Sequence, residues 1–179
     1  MTKPTEPGLA AREGAAAILT AVLKERRALD DAFADEAATG SLARAEPRDR
    51  AFARAIAATA IRRLGTVDHV IGALLDKDLP KRAGATMNIL RAGVTEILFL
   101  RVAHHAAVSM NVEAAAQDAT ARHYKALVNA VLRRVTREGD AILDTLDTER
   151  LDTPDWLWES WTAAYGKETT RAIIRAHYE

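Results

Sequence analysis

Between Lys125 and Arg137 the apolar residues Leu127, Val128, Val131, Leu132 and Val135 fall at i, i+1, i+4, i+5 and i+8, one stripe of an α-helix. Nothing in the chain constrains the fold more. The same period recurs along its length, and no segment of any length alternates with a period of two. An all-α bundle of about seven to ten helices is expected. Hydrophobic residues make up 49% of the chain and aromatics only 5%, so much of the core must be alanine, which suits closely packed helices.

The spacing places the other helices. Ile18, Leu19, Val22 and Leu23 share a face of a helix from Leu9 to about Arg27, and Leu29 and Phe33 sit on a short one ended by Gly40. Phe52, Ile56, Ala60, Leu64, Val67, Ile71 and Leu74 follow steps of three and four, and the phase persists across Gly65. This predicts one long central helix from about Arg48 to Leu75, ~42 Å in length, with Pro47 at its start. A further helix is expected over Gly84 to Arg101. His104 to Val108 then reads as a connector, with Ser109 as the N-cap of a helix through Thr120. The Asn129 helix is expected to stop at Gly139, and Pro154 to open a last pair of short helices. Residues 1–8 read as a disordered lead, 9–150 as the main helical domain and 151–179 as a tail.

Composition excludes several chemistries. Without cysteine there is no disulfide, thiolate metal site or cysteine nucleophile. No two of the nine glycines are spaced as GxG, and no histidines have HxxxH spacing, so neither a phosphate loop nor a metal site is expected. The chain reads as catalytically empty, with no cofactor of its own. Its most hydrophobic stretch, Val94 to Val108, is interrupted by Glu96, Arg101 and two histidines. It therefore reads as core, not as a membrane span, and a cytoplasmic location is expected. The zero net charge conceals an asymmetry. Residues 1–137 carry 21 Lys+Arg against 15 Asp+Glu, a balance of +6, and residues 138–179 carry 4 against 10, a balance of −6. A mildly basic body can attract a polyanion, while charge alone favours reading both as ordinary solvated faces.

Arginine makes bidentate phosphate contacts and stacks on unpaired bases. Arg62, Arg63, Lys125, Arg133 and Arg134 are the candidate RNA contacts, expected to stand free of a carboxylate one helical turn away. The alternative for each is a structural pairing. His105 and Asn129 read as half-buried residues hydrogen-bonding two helices together, or else as RNA contacts. Trp156, Trp158 and Trp161 read as core or interdomain packing or as a base-stacking platform.

Several segments together resemble the NusB-like RNA-binding fold. Val128-Asn129-Ala130-Val131-Leu132-Arg133 is similar to its "VNAVLR" helix, and Ile89 to Leu100 to its "ILRLGLYQLLFL" helix. His105-Ala106-Ala107-Val108 matches its "HAAV", followed by Val112-Glu113, with Ser109, Met110 and Asn111 departing from the family's pattern between them. Arg62-Arg63-Leu64 and then Asp68 resemble its "LRxxxxLD". Thr153 to Leu157, Trp161 and Tyr165-Gly166 look like the "PDWL…W…YG" tail of one branch, the rRNA cytosine-C5 methyltransferases of the RsmB (Sun, Fmu) type. The resemblance covers about Leu9 to His177. It implies the N-terminal RNA-binding domain of a bacterial methyltransferase that uses S-adenosylmethionine. Its partners would be small-subunit rRNA and a C-terminal catalytic domain carrying the cysteine this chain lacks. Two alternatives stay open: a stand-alone transcription antitermination factor, which in this family begins with an arginine cluster where this chain has Arg12 alone, and an interdomain-docking module without RNA affinity.

Overall fold

Helix α5 (Thr86–Leu98) is buried at eleven of its thirteen positions, and the other elements are arranged around it. A computed structural model describes residues 8–178. Ten α-helices and no strand occur among the described residues, in agreement with the all-α expectation. Apart from Gly8, the lead anticipated over residues 1–8 lies outside them.

On one side of α5 lie α1 (Leu9–Leu23), α2 (Leu29–Thr39) and α3 (Pro47–Arg62). Their shared core is largely alanine, with Ala11, Ala15, Ala53, Ala57 and Ala60 fully buried beside Ile18, Leu19 and Ile56. On the other side lie α4 (Leu64–Leu74), α6 (His104–Gln117) and α7 (Lys125–Leu143), packed through Val67, Ile71, Leu90, Val94, Val128 and Leu132. The Arg91 guanidinium on α5 grips the Asp68 carboxylate on α4 with two bonds of 2.7 and 2.8 Å, so two of the motif segments meet in space.

One ion pair crosses the core. Arg12 on α1, only 6% exposed, donates from Nε and Nη2 to the fully buried Glu96 of α5 at 3.2 and 2.5 Å. Asn111 of α6 donates to the same carboxylate at 2.7 Å, so three helices are joined by one buried group. Burial pushes the Glu96 carboxyl above the usual carboxylate range, against the opposing pull of Arg12 and Asn111. Arg12 is therefore core, not a remnant of a surface arginine cluster.

Four boundaries differ most from expectation. The long central helix is two helices, because Arg63 (φ −110°, ψ 23°) interrupts it between α3 and α4. The Thr66 N–H points instead to the Asp152 carboxylate at 2.7 Å, so a residue far along the chain caps the N-terminus of α4. The apolar phase survived because a one-residue interruption leaves the buried stripe nearly in register. The longest helix is α7, which runs through Gly139 to Leu143 because Gly139 is buried against the Leu98 side chain. His104 to Val108 are the first turns of α6 and not a connector, and Ser109 lies inside that helix. Finally, α1 stops at Leu23, and Arg26 takes the left-handed conformation (φ 62°) that closes its end.

The acidic tail folds onto the α3–α4 junction as α8 (Thr148–Leu151), α9 (Asp155–Tyr165) and α10 (Lys167–Tyr178). Arg171 bonds Asp147 at 2.8 and 2.5 Å and Glu149 at 2.8 Å, tying α10 to the start of α8.

Candidate nucleic-acid interface

Helices α6 and α7 enclose a groove of about 620 Å³. Val108 and Val112 of α6 supply its apolar floor, because both belong to the inward stripe of that helix. Polar groups form the rim: His104, His105 and Ser109 from α6, and Asn129, Arg133 and Thr136 from α7. None of these residues is acidic. The α7 side follows from helical spacing, since Lys125, Asn129 and Arg133 stand four residues apart on one face. Arg133 donates from Nε to Asn129 Oδ1 at 3.1 Å, which orients both side chains along the rim.

The groove thus collects Arg133, Asn129 and His105, with the exposed Lys125 on the same face of α7 two turns before Arg133. His105 was expected to be half buried and bonding two helices, but it is exposed at the first turn of α6. Asn129 bonds within its own helix and does not bridge to another. Sequence reading missed His104, Ser109 and Thr136. They are unremarkable as residue types, and only the packing of α6 on α7 lines them up.

The remaining candidates lie elsewhere. Arg134 points away from Arg133, donating to the Leu74 carbonyl at 3.0 Å at the C-terminus of α4 and pairing with Glu138 at 3.2 Å. Glu138 stands one turn from Arg134, so the expectation that Arg134 lacked a carboxylate neighbour is corrected. That pairing holds Glu138 below the usual carboxylate range. Arg63 is enclosed by the tail, its guanidinium 3.4 Å from the centre of the Tyr178 ring and 3.7 Å from Asp152. It too has a carboxylate partner, although one distant in sequence. Arg62, exposed, borders a separate groove of about 380 Å³ lined by Pro154, Leu157, Trp161 and Ile174 of the tail.

Electrostatics distinguish the grooves. A larger one, about 950 Å³, lies between α1, α2, α5 and the end of α6 and is bordered by Glu13, Glu25, Glu36 and Asp118 with Lys24 as its one cation. Burial and the neighbouring Glu36 and Glu113 raise the Glu13 carboxyl above its ordinary value. A phosphate backbone would be repelled there and attracted to the α6–α7 groove.

The tail holds all three tryptophans. The guanidinium groups of Arg150 and Arg171 lie over the Trp158 ring, at 5.4 and 5.3 Å, and Trp161 stacks on His177. Trp156 is 69% exposed and Tyr165 59% exposed.

The chain resembles longer proteins. It is 34% identical over 170 residues to the ribosomal RNA small subunit methyltransferase B of Xanthomonas campestris pv. campestris, covering 94% of this chain and 37% of that protein. The proteins of the same name from Vibrio cholerae (32% over 134 residues, 73% of this chain, 30% of that one) and Thermus thermophilus (38% over 125 residues, 66% and 28%) are similar too. The chain spans about a third of the length of these curated relatives. The NusB family model matches residues 9–137, from the start of α1 to the last turns of α7, and the chain belongs to the NusB family.

Proposed function

We propose that this chain is the RNA-binding and targeting domain of an S-adenosylmethionine-dependent methyltransferase that modifies cytosine C5 in small-subunit rRNA. Residues 9–150 would form the RNA-binding helical domain and 151–179 the tail leading to the catalytic domain. One observation carries the reading: similarity to a small-subunit rRNA methyltransferase covers 94% of the chain, so it continues past the family match at residue 137 into the tail. Methylation at C5 needs a nucleophile to add to C6 of the base. The chain has no cysteine, so that chemistry and the S-adenosylmethionine site belong to the rest of the longer protein. Its own part is to hold RNA, with Arg133 and Asn129 on the acid-free rim, Lys125 on the same face of α7 and Arg62 as a further cation beside the tail. The setting is the bacterial cytoplasm, where rRNA is modified.

The exposed Trp156 and Tyr165 favour a second task for the tail, docking against the catalytic domain. Filter binding of the chain to small-subunit rRNA fragments at two salt concentrations tests the RNA reading. Each phosphate neutralised contributes about 0.7–0.9 to the slope of log K against log salt, so a slope between about 2 and 4 is expected. An absence of binding at low salt would leave the tail's docking as the domain's function.

A further inference from the structure

The break between α3 and α4 has no cause in its own residues. No proline lies between Arg48 and Leu75, and neither Arg63 (φ −110°) nor Gly65 takes the left-handed conformation. The buried stripe meanwhile runs through both helices, from Ala53, Ile56 and Ala60 to Val67, Ile71 and Leu74. Left to local preference, the segment would continue as one helix, and the Thr66 N–H would bond the Arg62 carbonyl four residues back.

The contacts that hold the break come from the tail. Asp152 accepts the Thr66 N–H at 2.7 Å and lies 3.7 Å from the Arg63 guanidinium. The Tyr178 ring covers that guanidinium at 3.4 Å. Its hydroxyl donates to the Asp152 carboxylate at 3.2 Å and to the Thr148 carbonyl at 3.0 Å. The Leu151 carbonyl presses on the open side of Gly65. From the body, the Phe99 ring at the end of α5 lies 5.3 Å from the same guanidinium.

We propose that the tail is a strap with two states. Docked, it holds α3 and α4 apart at Arg63. Released, it lets them join into one helix from Pro47 to Leu74.

The strap is lightly held: α8 and α9 contain no buried residue, and α10 has Thr170 and Ile174. It can therefore leave while the two cores stay closed. The break also sits where the halves of the bundle meet, α3 packing beside α1 and α2, and α4 beside α6 and α7. The position of the tail is thus transmitted to the way the two halves sit on α5. A partner that binds the released tail shifts the balance toward the joined helix, and one that binds the docked tail shifts it toward the break. The strap works whether or not the chain binds RNA.

Backbone NMR of the intact chain tests the strap through the Arg63 Cα carbon shift and the exchange of the Thr66 amide, with tryptophan emission reporting the tail. Asp152→Ala removes the clasp. Gly65→Ala pushes it away, since the added Cβ would meet the Leu151 carbonyl, and alanine also favours helix. Both variants should alter the emission and move Arg63 to a helical shift. The Thr66 amide should stay within about tenfold of its native protection, because the Arg62 carbonyl replaces Asp152. Asp152→Asn keeps a carbonyl oxygen to accept the Thr66 N–H and should leave Arg63 as in the native chain. Should either alanine variant fail to fold, the other decides. An Arg63 shift that stays non-helical overturns the strap whether or not the emission changes. Exchange about 100-fold or more faster at Thr66 would overturn it too, since the break would then persist with its cap removed.

Discussion

Gly65 and Leu151 meet backbone to backbone: a Cβ on Gly65 would fall 1.9 Å from the carbonyl oxygen of Leu151. This approach lets α8 lie against the start of α4, where Asp152 reaches the Thr66 N–H and the Tyr178 hydroxyl donates to the same carboxylate at 3.2 Å. Burial raises the Asp152 carboxyl above its ordinary value, while these donors and Arg63 oppose the shift.

Gly65→Ala should therefore loosen the tail. Overpacking of this kind costs about 1–3 kcal/mol, which for a chain of this size lowers Tm by roughly 2–10 °C. Every tryptophan is in the tail, so its emission reports the change directly. An unchanged Tm and emission spectrum would show that α8 can back away at no cost.

The Arg12–Glu96 pair gives a second expectation. Removing one partner leaves a buried charge uncompensated, so Arg12→Ala should cost about 3–5 kcal/mol in urea unfolding. Replacing the pair with Arg12→Met and Glu96→Leu together should cost far less than the sum of the single changes. The raised carboxyl also has a pH consequence. A group whose pKa is higher in the folded state favours folding at pH values below its unfolded pKa and loses that contribution as pH rises through the folded one. The stability difference between the native chain and the double variant should shift accordingly between acid and neutral pH. Additive single and double costs would show the two side chains to be uncoupled.

The tail should respond to acid in the opposite sense. Arg171 holds the Asp147 and Glu149 carboxyls below their ordinary values, and Arg175 adds to the effect on Glu149. Groups with depressed folded pKa values contribute stability above the unfolded values and lose it as pH falls through the folded ones. Tryptophan emission should therefore change below about pH 4, before the far-ultraviolet helical signal is lost. High salt should move that change to higher pH, because these pairs are partly exposed and so partly screened. A single transition by both probes would show that the tail does not come away separately.

How much the sequence showed depended on how far apart the partners stand. The period in Leu127 to Val135 was enough for α7, and Pro47 and Gly40 marked true boundaries because helix ends are local events. The break at Arg63 was hidden because its cause is Asp152, and Glu96 could be read as interrupting a hydrophobic stretch but not as the partner of Arg12. His105 resembled a residue that bonds two helices, yet α6 begins one residue earlier and leaves it exposed. The one avoidable error was Arg134, whose partner Glu138 is a single turn away.

Neighbours Arg133 and Arg134 therefore serve for the last separation of roles. A step of one residue turns the side chain by about 100°, so Arg133 faces the α6–α7 groove while Arg134 faces α4. Arg134 donates to the Leu74 carbonyl, where a cation at a helix C-terminus is favourable, and Arg134→Glu would place a carboxylate there beside Glu138 and Asp76. It should lower stability by about 1–2 kcal/mol in urea unfolding. Arg133→Glu should leave stability within about 0.5 kcal/mol and weaken RNA binding, reducing the salt slope by about 0.7–0.9. If Arg134→Glu weakened RNA at unchanged stability and Arg133→Glu did not, the RNA face of α7 would be the side toward α4, and the α6–α7 groove would lose its role.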